Sequence, residues 1–356
     1  MKIFYGCNGV GNGHITRTRL MAKALYDIGI TDIDFLFSGR PTHKYFDMGI
    51  FCDYRTRKGL SFDITNGKVN PLKTLSKINL KELKQDVMDF DLSGYDLVIS
   101  DYEPITSWAA KLQGKKCLGI GHQYAFNYDI PVAGGNIITK AIMKNFAPVT
   151  SGIGLHWQSC GSPILPPIID VDTLLKNYKA KSETVDGHIL VYLPFENQYD
   201  VVKLLSKFKK HTFIVYSPVD IMPSTIPFNV IYKAPSKDGF LRDLIESNGV
   251  ICNAGFELIS EALYIGKKIL AKPLAGQMEQ ISNAKALKQF KYGRTMTTLN
   301  SIDVGEFLAD KGSVFVNYPD VAKYLALMIK YDDMFNLKEN LFNDVWRRVS
   351  VQRDYK

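Results

Sequence analysis

The chain has 356 residues, of which 46% are hydrophobic and 22% charged, a composition typical of a globular protein that buries a sizeable core. At this length two domains are expected. The formal net charge of +8 is compatible with a nucleic acid, an anionic membrane or an anionic substrate as partner, or with a basic surface that has none, but the chain contains no nucleic-acid-binding motif.

No apolar stretch approaches the roughly 20 residues that a bilayer-spanning helix needs. The N-terminus begins directly with the strand-like KIFYGC and shows none of the regions of a signal peptide. The five cysteines are scattered, without CxxC pairing or disulfide spacing. These features predict a cytoplasmic protein with reduced thiols.

The first half alternates strand and helix patterns. Strands are predicted at KIFYGC, DIDFLFSG, YDLVISD and KCLGIG. Helices are predicted at HITRTRLMAKALYDIG and at PITSWAAKLQGK, which Pro104 opens and Gly114 ends. Short apolar strands separated by amphipathic helices indicate parallel βαβ units.

The pattern breaks at a proline-rich segment and then restarts. Pro163, Pro166 and Pro167 fit neither a helix interior nor a central strand, so residues 163–170 are predicted to be a linker. We therefore expect two doubly wound, Rossmann-like α/β domains facing across a cleft, residues 1–162 and 171–318, with C-terminal helices over 319–356. Ligands of such sheets bind beyond the carboxyl ends of the strands.

The stretch NAGFELISEALYIGKKILAKPLAGQMEQISNAKAL, residues 253–287, carries the groups of a phosphate and sugar site. Gly255 lies where a strand turns into a helix, and the N–H groups that follow suit a phosphate. Glu261, one to two turns into that helix, is placed to hold the two hydroxyls of a ribose. The next loop offers side chains for sugar hydroxyls: Gln277, Glu279, Gln280 and Asn283.

A second glycine-rich loop, GVGNGH, follows the first strand. The spacing of its glycines does not match a dinucleotide fingerprint, and the second strand ends at Ser38 without an acidic residue, so a Rossmann dehydrogenase is disfavoured. His14 closes the loop at the cleft, where it either deprotonates a substrate hydroxyl or only starts the helix. Asp101 and Glu103 follow another strand and are expected in the same cleft. Asp101 either orients the histidine or caps the helix at Pro104.

Together these motifs resemble the GT-B glycosyltransferases. The donor signature of that superfamily is matched by Gly255, Glu261–Ala262, Gly266, Pro273, Glu279–Gln280 and Asn283–Ala284. The loop GVGNGHI is similar to the Gly–His loop of members with lipid acceptors, namely the peptidoglycan lipid-intermediate N-acetylglucosaminyl transferase of glycosyltransferase family 28, and UDP-glycosyltransferases are also similar. One departure is Asn253–Ala254, where many relatives have histidine or Ser-Arg, so these two side chains are not expected to assist the phosphates.

The resemblance assigns roles to residues of both halves. It places the donor diphosphate at Gly255 and Phe256, the ribose at Glu261, and the donor sugar at Gln277, Glu279, Gln280 and Asn283. It makes His14 the catalytic base and Asp101 its partner. Acceptor-binding residues are expected at Gly11, Asn12, Gly13, His122 and Gln123. The other histidines are expected to be structural: His43, His156, His188 and His211.

The implied activity is an inverting, metal-independent transfer of a hexosyl or N-acetylhexosaminyl unit from a UDP-sugar to an acceptor hydroxyl, on a lipid-linked or envelope-polysaccharide acceptor. No metal site and no cofactor are expected, because no cluster has metal-ligand spacing. Residues 136–149, apolar with lysines, predict either a peripheral contact with an anionic membrane or an ordinary surface helix. The expected location is the cytoplasm, with the inner face of the membrane as the alternative.

Three other functions remain open. A UDP-N-acetylglucosamine 2-epimerase would share the two-domain fold but needs further acidic groups in the cleft, for which Glu103 is available. A regulator that binds a nucleotide sugar without turnover would not depend on His14. An anion-binding surface protein would have no affinity for UDP.

Overall fold

The structure is a computed structural model, and it describes residues 1–61, 63–70, 73–74, 76, 79–179, 187–331 and 339–354. The strands in chain order are β1 (Ile3–Asn8), β2 (Ile33–Ser38), β3 (Tyr54–Arg57), β4 (Ile64–Thr65), β5 (Lys68–Val69), β6 (Leu97–Asp101), β7 (Cys117–Gly121), β8 (Ser151–Gly154), β9 (Ile189–Tyr192), β10 (Phe213–Tyr216), β11 (Val230–Lys233), β12 (Gly249–Asn253), β13 (Lys268–Lys272), β14 (Arg294–Thr295), β15 (Ser313–Asn317) and β16 (Ser350–Asp354).

The helices are α1 (Asn12–Asp27), α2 (Leu80–Met88), α3 (Pro104–Leu112), α4 (Ile137–Phe146), α5 (Val171–Lys179), α6 (Gln198–Leu205), α7 (Lys237–Glu246), α8 (Phe256–Tyr264), α9 (Met278–Gln289), α10 (Ser301–Ala309), α11 (Val321–Lys330) and α12 (Glu339–Trp346). Short 3-10 helices cover Thr42–Lys44, Gly49–Phe51, His122–Asn127 and Val219–Ile221. Within the described ranges, no helix combines the length and the apolar character needed to cross a membrane.

Each half forms one six-stranded sheet in which every neighbouring pair is parallel. The strand order is β3-β2-β1-β6-β7-β8 in the first sheet and β11-β10-β9-β12-β13-β14 in the second. Helices alternate with the strands along the chain, which explains why the strands are almost continuously apolar. The expected class, two doubly wound Rossmann-like domains, is confirmed.

The strand order fixes where a ligand can bind. In each sheet the order reverses beside the first strand, so β1 lies between β2 and β6 and β9 lies between β10 and β12. Tyr5 of β1, for example, pairs with Phe35 and Ile99 on its two sides. Loops that leave the two strands at such a reversal diverge and open a crevice at their carboxyl ends. The candidate site therefore lies after β1, β6, β9 and β12.

The two domains are also connected by buried residues and helices outside the two sheets. The predicted linker is not an exposed tether, because Ile164, Leu165 and Ile168 are buried in it. The chain also returns to the first domain after the second sheet, since α11 packs against α1 and Lys330 Nζ donates to the carbonyl of Ile28 at 2.9 Å. The expectation of helices to the end of the chain is wrong at residues 350–354, which pair antiparallel with β15 as a strand.

A small hairpin, β4 and β5, crosses from the first domain to the second. Its turn residues Asn66 and Gly67 have φ of 49° and 72°, the positive values that a tight two-residue hairpin turn requires. The N–H of Gly67 donates to the carbonyl of Phe195 at 2.7 Å, and the N–H of Ala275 donates to the carbonyl of Gly67 at 2.8 Å. We call residues 64–69 the cross-domain hairpin; it lies over the carboxyl end of the second sheet.

Candidate active site

The loop after β1 brings the first domain against the second. Gly11 is the N-cap of α1, with φ −111° and ψ 149°, so Asn12, Gly13 and His14 form the first turn of the helix. A Cβ atom at Gly13 would lie 2.7 Å from Cγ of Glu257, so this contact between the domains requires glycine. The glycine expected beside an acceptor thus lies against the donor-side helix.

The predicted base and its partner are in contact. Nδ1 of His14 lies 2.7 Å from Oδ1 of Asp101, the last residue of β6. Asp101 is fully buried, whereas the His14 side chain is 16% exposed and reaches the cleft. Burial would raise the pKa of Asp101, but Arg17 and His14 more than offset it, so the pKa is lowered. An ionised carboxylate at Nδ1 favours a proton there and leaves Nε2 free to accept one.

Arg17 is a site residue that the sequence did not reveal. It lies one turn after His14 and is 2% exposed. Its Nε donates to Oδ2 of Asp101 at 2.8 Å, its Nη2 donates to Oδ1 of Asp101, and its Nη1 donates to Oε1 of Glu257 in α8. A buried guanidinium needs such partners, and its contacts join the His14–Asp101 pair to the second domain.

The residue after Asp101 is held in an unusual backbone conformation. Tyr102 has φ 51°, a conformation that bulky residues rarely adopt. Its hydroxyl donates to the carbonyl of Met143 at 2.8 Å, and its ring stacks on Phe146 with centroids 5.0 Å apart. These contacts with α4 compensate for the strain, which is typical of a functional turn.

Glu103 does not face the cleft, contrary to the sequence-based expectation. It is fully buried and is the N-cap of α3, where its carboxylate accepts from the N–H groups of Ile105 and Thr106 at 3.0 and 2.6 Å. Ser38 Oγ also donates to it at 2.6 Å. The cap of this helix is therefore Glu103 and not Asp101, because the carboxylate two residues closer to the helix reaches the free N–H groups.

The second domain presents the N-terminus of α8 to the same crevice. Gly255 is its N-cap, and no atom lies within 4 Å of the position that a Cβ would take there, so the space beside it is open. The side chain of Phe256 is 4% exposed, stacks on His122 at 4.1 Å between centroids, and also stacks on Trp157. Only the backbone N–H of Phe256 remains for a phosphate.

Two carboxylates lie on successive turns of α8. Burial raises the pKa of Glu257 to about 7, against the lowering effect of Arg17. Burial also raises the pKa of Glu261 to about 8, with a further rise from Glu257 and Asp170. Glu261 is partly buried, and no described side chain or N–H group hydrogen-bonds to its carboxylate. It is therefore available to a ligand.

In the predicted sugar-binding loop, some side chains hydrogen-bond within the protein and others do not. Glu279 Oε2 accepts from Gln123 Nε2 at 3.1 Å, and that amide nitrogen also lies 3.4 Å from His14 Nε2. Gln277 is the N-cap residue of α9, and its Oε1 is buried without a partner in the described chain. Gln280 Oε1, by contrast, accepts from the N–H of Leu274 at 3.0 Å, which fixes the preceding turn.

Asn283 holds the two domains together and has no free end for the donor. Its Nδ2 donates to the carbonyl of Ala254 at 3.0 Å, and its Oδ1 lies 2.7 Å from Nε2 of His122. His122 is 1% exposed, and its Nδ1 donates to the carbonyl of Leu155 at 2.8 Å. Burial lowers the pKa of His122. The resemblance assigned these two residues to different substrates, whereas the structure pairs them with each other.

Two more predicted residues are tied into the protein. Asn12 Oδ1 accepts from Arg40 Nη1 at 2.9 Å, and its Nδ2 donates to the hydroxyl of Tyr192 in the second domain at 3.4 Å. Asn253 donates from Nδ2 to Glu196 Oε1 at 3.1 Å and to the carbonyl of Lys272 at 3.1 Å. The side-chain amides of Asn12 and Asn253 thus make hydrogen bonds within the protein.

A cavity of about 1370 Å³ opens beside Gln123 and extends between the domains. Its wall on the first-domain side contains aromatic residues, Tyr102 and Tyr128 among them, while the lining surface as a whole is about equally polar and apolar. Lysines line it from both domains: Lys140, Lys144 and Lys285. It is large enough for a drug-sized ligand or larger.

The remaining histidines lie away from the His14 site. His156 is buried with its ring edge-on to Trp157, and burial lowers its pKa. His188 Nε2 donates to the carbonyl of Asp243 at 2.8 Å. His43 and His211 are exposed. Across the described residues, no three His, Cys, Asp or Glu side chains are grouped as metal ligands.

Two facing Rossmann-like domains with a histidine–aspartate pair on one side and an open helix N-terminus on the other define a GT-B glycosyltransferase. The sequence profile of the family described as Glycosyl transferase family 1 matches residues 1–311, and the chain belongs to this family. No curated protein matches the chain in sequence.

Solved structures of glycosyltransferases share the fold over nearly the whole chain. The spinosyn rhamnosyltransferase SpnG complexed with thymidine diphosphate covers 94% of this chain and 96% of its own, with a TM-score of 0.59 and 12% identity. A UDP-glucosyltransferase from Polygonum tinctorium covers 97% and 93%, with a TM-score of 0.56 and 11% identity. MurG from Acinetobacter baumannii covers 98% and 94%, with a TM-score of 0.50 and 14% identity. At these identities the similarity shows the fold alone.

Proposed function

We propose that the protein transfers a hexosyl or N-acetylhexosaminyl unit from a UDP-sugar to an acceptor hydroxyl with inversion and without a metal ion. The acceptor hydroxyl lies at His14 Nε2 and loses its proton to it as it attacks the anomeric carbon. The UDP leaving group is stabilised by the N–H groups at the start of α8 and by the dipole of that helix. No further cofactor takes part.

One observation carries the proposal: Nε2 of the proposed base, the nitrogen not held by Asp101, faces the predicted sugar-binding loop of the other domain. His14 Nε2 and Glu279 both contact the amide nitrogen of Gln123, at 3.4 and 3.1 Å. Gln123 therefore marks the place where acceptor and donor sugar would meet. Glu261 and the open space at Gly255 lie on the donor side of it. A base aimed at the donor sugar, with a leaving-group site behind, is the arrangement that direct displacement needs.

The acceptor is proposed to be lipid-linked and to occupy the cavity beside Gln123. The aromatic wall suits an apolar chain, and Lys140, Lys144 and Lys285 suit an anionic group on it. Helix α4 bounds this cavity and exposes Ile137 and Ile142 to solvent. Peripheral contact of α4 with an anionic membrane at the cytoplasmic face would then deliver the acceptor.

The donor is tested first, because the solved neighbours include both a UDP-glucosyltransferase and a complex with thymidine diphosphate. A thermal-shift panel of UDP-, dTDP- and GDP-sugars would show stabilisation by the UDP donor. A ligand that binds only the folded state at a hundredfold excess over Kd adds about 2.7 kcal/mol. Stabilisation by dTDP- or GDP-sugars alone would contradict the UDP assignment. Conversion of UDP-N-acetylglucosamine without an acceptor would instead indicate the epimerase, which the buried capping role of Glu103 disfavours.

The base is tested with His14→Ala. General-base catalysis contributes roughly 10²–10⁴ in rate, so kcat for release of the nucleoside diphosphate should fall by that factor while UDP affinity remains close to wild type. The matched control is His43→Ala, an exposed histidine of the same domain. A His14→Ala enzyme with full turnover would reduce His14 to a helix-start residue. A variant that loses UDP binding would show that the glycine loop touches the donor.

A further inference from the structure

Nδ1 of His14 has two neighbours with opposite requirements. Oδ1 of Asp101, at 2.7 Å, can only accept a hydrogen bond, whereas Nη2 of Arg17, at 2.9 Å, can only donate one. A proton on Nδ1 satisfies Asp101 and leaves a lone pair on Nε2, as a base requires. An unprotonated Nδ1 would instead accept a hydrogen bond from Arg17. The proton would then be on Nε2, and His14 could not act as a base at that nitrogen.

The orientation of the Arg17 guanidinium decides between the two tautomers. The group is a rigid planar fork. Nε and Nη2 grip both oxygens of Asp101, and Nη1 is anchored by Oε1 of Glu257. Nη2 therefore lies within hydrogen-bonding distance of both Oδ1 of Asp101 and Nδ1 of His14. The contact of Nη1 with Glu257 is a third point that fixes the guanidinium, and its loss would let Nη2 shift from Oδ1 of Asp101 towards Nδ1 of His14.

We propose that Glu257, acting through Arg17, is a positioning residue that selects the Nδ1–H tautomer of His14. The inference rests on the proposed role of His14 as the base. Glu257 belongs to the first turn of the donor-side helix, and Arg17 and His14 belong to the first domain. The contact between the two domains therefore helps to prepare the base.

The packing around Glu257 supports a defined position for its carboxylate. The residue is 8% exposed, and Gly13 leaves no space for a side chain between the two helices. Glu257 makes no hydrogen bond to His14 or Asp101 within the described chain, and its hydrogen bond in this cluster is to Arg17. Its charge also acts on Asp101 directly, so the substitutions must separate the hydrogen bond from the charge. If Glu257 served only to fill space, its substitution would change the stability of the protein but not the nitrogen that carries the proton of His14.

The experiment is nitrogen NMR of protein labelled with ¹⁵N-histidine, recorded near pH 8 without ligands. The chain has six histidines, and the spectrum of His14→Gln assigns the signals of His14. The nitrogen shifts of a neutral imidazole report directly which nitrogen carries the proton. In the wild type we expect His14 in the Nδ1–H form.

Two substitutions at position 257 separate the hydrogen bond that Glu257 accepts from Arg17 from the negative charge of Glu257. Glu257→Gln keeps an oxygen that accepts from Nη1, so the Nδ1–H form should persist. Glu257→Leu fills a similar volume without an acceptor, and the Nε2–H form should become the major one. The control is Glu306→Leu, which removes an exposed carboxylate 3.0 Å from Arg294 in the second domain and should leave His14 unchanged. If Glu257→Leu does not fold, Glu257→Ala replaces it.

A folded Glu257→Leu protein with the wild-type His14 spectrum would overturn the proposal, as would an equal change in the Glu306→Leu control. The measurement uses neither donor nor acceptor. It is therefore independent of the proposed function, whose failure would appear as absent stabilisation in the nucleotide-sugar panel.

Discussion

Glu261 carries a carboxyl group that makes no hydrogen bond within the described chain. It lies one turn after Glu257 on α8. A carboxylate that accepts from both ribose hydroxyls would give it partners. The carboxylate thus has no hydrogen-bond partner in the described chain, on the helix at which the proposed nucleotide lies.

We expect Glu261→Ala to weaken UDP binding. Above pH 8, where the Glu261 carboxyl is mostly ionised, loss of its charge-assisted hydrogen bonds costs about 1.5–3 kcal/mol, so Kd measured by calorimetry at such a pH should rise by roughly 10- to 150-fold. The wild type should also prefer UDP to 2′-deoxy-UDP, and the variant should lose that preference. Glu306→Ala is the matched control. Unchanged UDP affinity in a folded Glu261→Ala protein would remove the ribose assignment.

The same carboxylate should make stability depend on pH. Its pKa is raised from 4.5 to about 8 in the folded protein, so between these values the folded state holds a proton that the unfolded state has lost. Stability therefore falls as pH rises through this window. Glu261→Gln removes the effect, and its stability relative to wild type should increase from pH 5 to 8 by up to about 1.4 kcal/mol per pH unit. Urea unfolding at each pH measures this, and parallel pH profiles would contradict it.

Local sequence patterns predicted the residues at the ends of strands and helices better than the contacts between the two domains. His14 and Asp101 lie at the ends of regular elements, so local patterns placed both in the cleft, where they are in contact. The ribose-binding role of Glu261, which also came from a local pattern, stays a prediction. Arg17 reads as one more basic residue of a surface helix, and its partner Glu257 is 240 positions away. The only local signal was its place among the buried residues Ile15, Thr18 and Met21. Pairings between domains leave no trace in local spacing.

Tertiary contacts also determine what the predicted donor residues can offer. The side chains of Asn283 and Phe256 contact His122 across the domain interface, and a donor-binding role for the two residues stays a prediction. Glu103 was expected in the cleft because it follows a strand, yet as N-cap it satisfies N–H groups that would otherwise be buried without partners. A sequence shows which groups are present, whereas the tertiary structure decides which of them remain free.

Among the structural elements, the cross-domain hairpin has a tightly constrained turn. Gly67 has φ 72°, and a Cβ atom there would lie 2.2 Å from Oε2 of Glu196. Glu196 is itself fixed by Lys272, whose Nζ is 2.8 Å from its Oε1. The hairpin tip therefore cannot gain a methyl group without moving a buried ion pair at the carboxyl end of the second sheet.

We expect Gly67→Ala to destabilise the protein by more than Gly29→Ala. Gly29 has φ 85° and open space around its Cβ position, so that substitution incurs only the backbone strain of about 1–2 kcal/mol. Gly67→Ala adds the clash with Glu196 and should also weaken UDP binding, because the second sheet's crevice must rearrange. The midpoints of urea unfolding compare the two variants. Equal urea midpoints for the two variants would show that the hairpin accommodates the added methyl group and does not constrain the crevice.

At the scale of the whole molecule, the charge of the protein and the position of α4 bear on where it works. The net charge is +8, and Ile137 and Ile142 on α4 are 87% and 54% exposed. Lys140 and Lys144 lie on the same helix and line the cavity proposed for the acceptor. A helix with exposed isoleucines beside lysines suits the surface of an anionic bilayer.

Binding to vesicles that contain an anionic phospholipid tests this arrangement against net charge alone. The double variant Lys140→Glu and Lys144→Glu should bind at least 30-fold more weakly, because each lysine near such a surface contributes about 1 kcal/mol. The control double variant Lys209→Glu and Lys210→Glu alters net charge equally, at exposed positions of the second domain, and should retain most of the binding. Wild-type binding measured by flotation should weaken from 0.1 to 1 M salt, as the screening length shrinks from about 10 to 3 Å. Equal loss in both variants would show that net charge alone governs binding and that α4 is an ordinary surface helix.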